Sequence, residues 1–138
     1  MAAIGLKIGK AIYNILSGDS SLVSLVGGVT KIQPSAIYTS SPSKGIFYDI
    51  LSVDNDNTKT SNVAEITSVI FQIECFMPKY ADAISVGVRV QELLDKLTNG
   101  EYNSIKVQSC VLQSQSTDFD GDNKLYYIQS TFKARIIN

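Results

Sequence analysis

The chain has 138 residues, 44% of them hydrophobic and 18% charged, with twelve Lys and Arg against thirteen Asp and Glu for a formal charge of -1. That composition fits one domain, 1–138, with a proper core, and excludes disorder as the starting expectation. It also lacks the basic excess that binding to a phosphate backbone demands, although a local basic patch is still allowed.

The first predicted element spans Ile4 to Leu16, with Ile4, Ile8, Ala11, Ile12, Ile15 and Leu16 at helical spacing and Ser17-Gly18 as its stop. Gly5, Lys7, Gly9, Lys10 and Asn14 interrupt this segment. No apolar run reaches the roughly 20 residues of a membrane-spanning helix, and the lysines lie inside the stretch rather than ahead of it, unlike a secretory signal. The expected compartment is a reducing cytoplasm. Asp19 is a good N-cap for a second, short helix through Val26, ended by Gly27-Gly28. Val29 to Ser43, with Pro34 and Pro42, reads as an extended connection containing a short strand at Lys31 to Gln33.

Ile46 to Val53 is a β-rich run. The polar stretch Asp54 to Asn62 follows, a hairpin loop far longer than the usual two to five residues, and then the strand Ile66 to Met77. Within that strand Val69, Phe71, Ile73 and Cys75 alternate with Ile70, Gln72 and Glu74. At Pro78 the period changes, and Ala83, Val86, Val90, Leu93 and Leu97 draw an apolar stripe along a helix that Thr98-Asn99-Gly100 stops. Ile105 to Ser116 is a third strand and the turn Asp118 to Asn123 leads to a fourth. There Tyr126, Ile128, Ser130, Phe132, Ala134 and Ile136 share one face, with Tyr127, Gln129, Thr131, Lys133 and Arg135 on the other. The expected fold class is α+β: an antiparallel sheet of about four strands with helices packed on one face, a two-layer sandwich.

Chemistry is poorly supported. The chain has no histidine, so the common general base is missing and no serine or cysteine can be paired with it. It has neither G-x-x-x-x-G-K-[ST] nor G-x-G-x-x-G, and Glu65, Glu74, Glu92 and Glu101 lie on different predicted elements. No catalytic residue, cofactor or metal ligand is assigned, and no enzyme is expected. Cys75 and Cys110, each in a predicted strand, read as core filling rather than as a disulfide or zinc pair. Of the alternating carboxylates, Asp118, Asp120 and Asp122 have Gly121 too early and Gln129 where an EF-hand loop needs glutamate, while Asp54 with Asp56 place Glu65 correctly but have Lys59 in place of the glycine and a strand instead of a following helix; turn chemistry accounts for both. Tyr126, Tyr127 and Phe132 faintly suggest base stacking, but Tyr126 and Phe132 belong to the face that meets the helix.

The order of these elements resembles the tail completion, or tail terminator, family of tailed bacteriophages over nearly the full length. The likeness is carried by Leu16-Ser-Gly-Asp-Ser-Ser-Leu-Val-Ser-Leu-Val-Gly-Gly28, by Pro42-Ser-Lys-Gly-Ile-Phe-Tyr48, by Phe71-Gln-Ile-Glu-Cys-Phe-Met-Pro-Lys-Tyr-Ala-Asp-Ala83 and by the closing turn and strand from Asp120 to Phe132. The resemblance implies a virion protein, made in the host cytoplasm, that forms a homo-oligomeric ring, commonly a hexamer, at the head-proximal end of the tail. Its implied partners are the tail tube protein and the head-tail connector proteins, with no membrane; passage of DNA through the lumen is left open. The residues expected at subunit or partner contacts are Asp54, Asn55, Asp56, Asn57, Thr58, Lys59 and Thr60 of the polar hairpin and Tyr127, Gln129, Thr131, Lys133 and Arg135 of the last strand. The physical ground is that exposed strands leave backbone groups a neighbouring copy can satisfy, and a ring closes such edges on itself. The alternative reading is a small intracellular α+β domain that binds a ligand or nucleic acid.

Overall fold

The computed structural model describes residues 7–34, 44–56, 66–95, 97–102 and 105–137. Its elements in chain order are α1 (Ile8–Ser17), α2 (Ser20–Val26), a 3-10 turn at Val29–Lys31, β1 (Ile32–Pro34), β2 (Gly45–Asp56), β3 (Ile66–Met77), α3 (Tyr80–Leu94), β4 (Leu97–Tyr102), β5 (Ile105–Asp120) and β6 (Leu125–Ile137). The strands form one six-stranded sheet in the order β1-β2-β3-β6-β5-β4. All pairings are antiparallel except β1 with β2, which is parallel.

This corrects the expected architecture. A four-stranded antiparallel sheet in a two-layer sandwich is replaced by a mixed six-stranded sheet that curls into a half-barrel around the helices. The curl is visible in the packing of α1, which touches β1 and β2 towards one edge and β4 at the other. Register shifts in β2–β3 between Ile50 and Ser52, and in β5–β6 between Val107 and Ser109 and between Leu112 and Ser114, supply local bends.

The caps of α2 follow the sequence, while Ile4, the expected start of the first helix, lies outside the described residues. Asp19 caps α2 by accepting the Leu22 N–H at 2.9 Å, and Gly27, at φ +92°, ends it in the left-handed conformation. Gly45, at φ +151°, has no room for a side chain: a Cβ there would lie 2.5 Å from the Lys31 carbonyl oxygen. That close approach lets β2 start beside the 3-10 turn.

Several boundaries differ from the expectation, among them that of β5, which runs through Asp118 to Asp120 instead of ending at Ser116. Asp54, Asn55 and Asp56 extend β2, pairing with Ser68, Thr67 and Ile66, because the cross-strand ladder overrides the turn preference of Asp and Asn. The helix after Pro78 ends at Leu94 rather than at Leu97, since Asp95 adopts an extended backbone (φ -73°, ψ 134°). Leu97 to Tyr102, including the expected stop at Thr98-Asn99-Gly100, is β4, paired with β5.

The core lies between the concave face of the sheet and α1, α2 and α3. Val69, Phe71, Ile73, Cys75, Phe132, Ala134 and Ile136 from the two central strands are buried against Ile12, Leu16, Leu22, Val86, Val90 and Leu94 from the helices. Phe71 and Phe132 are directly opposed across β3 and β6 and stack with ring centroids 5.4 Å apart. Gly87 of α3 allows the helix to lie close on β6, where a Cβ would meet Ile128 at 3.1 Å.

Candidate functional site

The convex face of the sheet carries the residues expected at contacts from the last strand. β6 alternates as read from the sequence, with Ile128, Ser130, Phe132, Ala134 and Ile136 buried and Lys133 and Arg135 exposed. Yet β6 is interior to the sheet, between β3 and β5, so its backbone groups are engaged on both sides. Contact through Tyr127, Gln129, Thr131, Lys133 and Arg135 would therefore use side chains rather than a free strand edge. Register brings Asp54 of β2 and Arg135 of β6 to either side of Ser68, so these two share one end of the convex face. Asn57, Thr58, Lys59 and Thr60 lie outside the described residues.

At the opposite end of that face is a second apolar cluster. Phe47, Phe76 and Leu125 are buried, with Tyr127 packed on them. Phe47 meets Phe76 edge to face at 5.7 Å, and Phe76 stacks on Tyr127 at 4.9 Å. Around it are carboxylates. Burial, with Asp49 nearby, raises the Glu74 carboxyl above its ordinary value. The Tyr127 hydroxyl donates to Asp118 Oδ2 at 3.3 Å, and partial burial together with Asp118 raises its pKa.

The acidic turn after β5 is held by its own hydrogen bonds. Asp120 Oδ1 accepts the backbone N–H groups of Asp122 and Asn123, while its Oδ2 accepts from Asn123 Nδ2 at 2.9 Å. The Asn123 amide first, and the backbone donors after it, hold the Asp120 carboxyl below the ordinary carboxylate range. Asp118 Oδ1 likewise accepts the Phe119 N–H at 2.8 Å. The Asp120 oxygens stabilise the turn that follows β5, while Asp118 lies within the strand.

Cys75 and Cys110 are buried free thiols, both pushed up to about 12 by burial. They cannot reach each other: Cys75 is opposite Ile128 and Cys110 opposite Ala134, on two strands separated by β6.

The least expected feature is the β5 edge. β4 pairs with β5 only from Ile105 to Cys110, and the Asp95 carboxylate then accepts the Leu112 N–H at 2.8 Å. Beyond that point, among the described residues, no strand pairs with the outer edge of β5 as far as Asp120. The inward side chains there are Gln115, whose Nε2 donates to the buried Ser130 Oγ at 3.0 Å, then Thr117 and Phe119. Phe119 packs against Tyr126 at 4.7 Å, and Tyr126 meets Tyr80 of α3 at 5.7 Å. The sequence held a signal for this region in Tyr80, Ile84 and Val88, spaced four apart on α3, beside the stripe that forms the core.

No family model matches the chain, and no curated protein matches it. Among solved structures, it is similar to a chain of the "Virion of native gene transfer agent (GTA) particle", with a TM-score of 0.62 and 15% identity, over 92% of this chain and 92% of that one. At that identity the likeness is one of fold.

Proposed function

We propose that this protein is a structural component of a phage-like virion. The observation that carries the reading is the end-to-end likeness of fold to a chain of a gene transfer agent virion, over 92% of both chains. More narrowly, copies of the chain form a ring, six in the reading taken from sequence, at the head-proximal end of a tail, where they join the tail tube to the head connector. The absence of histidine supports a non-enzymatic role, as do two thiols kept protonated by burial. A sheet that leaves part of one edge strand unpaired among the described residues supports association, since those backbone groups gain by pairing.

The test is end-specific capture. Purified protein, labelled and mixed with purified tail tubes, is expected to sit at one end of each tube in electron micrographs and to stop further growth there. Absence of binding, or binding spread along the tube, would overturn the head-tail assignment.

A further inference from the structure

The distal half of β5 offers a place for one more strand. From Gln113 to Asp120 its outer edge is unpaired among the described residues, directly in line with β4. Such an edge is a template for an added strand. α3 overhangs it, because Tyr80, Ile84 and Val88 form a second apolar stripe beside the core stripe of Ala83, Val86, Val90 and Leu94. Tyr80 is 53% exposed, Val88 49% and Phe119 47%. Between helix and strand runs an open groove of about 320 Å³, floored by Gly87 and Ile128 and walled by Ile84, Val88, Gln115 and Thr117.

Charge indicates what this surface takes. Residues 111–123 hold Asp118, Asp120 and Asp122 and no basic residue, a net charge of -3. On the described part of the flank, residues 7–34 and 44–50 hold Lys7, Lys10, Lys31 and Lys44 against Asp19 and Asp49, a net charge of +2, and Asp19 is already paired with Arg89. Lys31 and Lys44 border the other edge of the sheet. Lys31 and Lys44 line an open recess of about 210 Å³ with Gln33 and Phe47 beside β1, and α1 lies there with Gly9 facing Tyr48 and Ile50 of β2. Opposite charges at opposite edges of one sheet make a head-to-tail contact, which closes a ring if the rotation allows.

We propose that the β5 edge from Gln113 to Asp120, with the groove under Ile84 and Val88, is the docking surface for the lysine-bearing β1–β2 flank of a second copy of this chain. This rests on the ring reading above and names the surfaces that would make it.

The test uses the full chain and light scattering after size exclusion. Val88→Asp, the pair Asp118→Lys with Asp122→Lys, and the pair Lys31→Glu with Lys44→Glu are each expected to weaken association about tenfold or more, with circular dichroism unchanged. Mixing the two charge-reversed proteins is expected to restore the oligomer, because the reversed surfaces again match. Amide exchange in the wild type provides a readout free of mutation: residues 113–120 are expected to become protected on assembly. A wild-type oligomer indifferent to all three changes, or with no protection at 113–120, overturns this contact and leaves the ring standing. Association of the surface only with a different protein also overturns it, as does loss of the oligomer without restoration on mixing. A wild-type protein that stays monomeric at every concentration, alone and beside tail tubes, overturns the ring reading itself.

Discussion

The Asp19 carboxylate serves two elements at once. Its Oδ2 accepts the Leu22 N–H that starts α2 and the Arg89 Nε–H of α3, both at 2.9 Å, while Arg89 Nη2 donates to Oδ1. The hydrogen bonds from Arg89 hold its carboxyl below the ordinary value of 3.8. A depressed carboxylate stabilises the fold above its ordinary pKa and loses that contribution as pH falls through the folded value. Asp19→Ala is expected to cost about 1–2 kcal/mol in urea unfolding at neutral pH, with the difference from wild type shrinking below the ordinary value. Glu74 has the opposite sign. Its carboxyl is raised by burial and by Asp49, so the ionised form opposes folding, and stability is lost as pH rises from below 4.5 through the folded value. Glu74→Gln is therefore expected to raise Tm at pH 7 and to change it little at pH values below that range. A calorimetric comparison of the two proteins at the two extremes checks both statements. Cys75 and Cys110, buried and protonated, are expected to resist thiol reagents in the native protein and to react fully in denaturant.

Among elements, those whose burial follows a simple period were legible and those made by pairing were not. Asp19 and Gly27 mark the ends of α2 in the sequence and in the structure because caps are local chemistry. The alternation in β3 and β6 was equally plain, since each buries one face on helices. β4 was hidden: Leu97, Thr98, Asn99 and Gly100 look like a helix stop, and only the partner strand β5 makes them a strand. The apolar cluster of Phe47, Phe76, Leu125 and Tyr127 was hidden for a related reason, as its members come from three strands and meet only through register. Packing of α3 on the sheet gives two tests. Phe132→Ala, at the stacked pair with Phe71, is expected to cost about 3–5 kcal/mol. Gly87→Val is expected to cost about 1–3 kcal/mol, because a Cβ at this position would lie 3.1 Å from Ile128 and the branch adds volume against β6. Chemical denaturation with an unchanged m-value separates these packing losses from a change of fold.

At the scale of the whole molecule, the sheet order decides which surfaces are available for association. The sequence directed attention to the last strand, but β6 lies at the centre of a six-stranded sheet, and among the described residues the open edges are those of β1, β4 and the distal part of β5. That distinction was not legible, since nothing in the residues of β6 tells a central strand from an edge; their alternation is the same in both. The polar hairpin from Asp54 became partly strand for the same reason, with residues 57–65 outside the described set. What the comparison supports is coarser: a fold like that of a chain of a virion particle, over 92% of both chains. The mass of the purified full chain in solution, by light scattering or native mass spectrometry with or without tail tubes, is the most direct measurement of the ring. The account predicts one discrete species at an integral multiple of the chain mass, six in the reading proposed. A chain that remains a monomer under all of these conditions would contradict it.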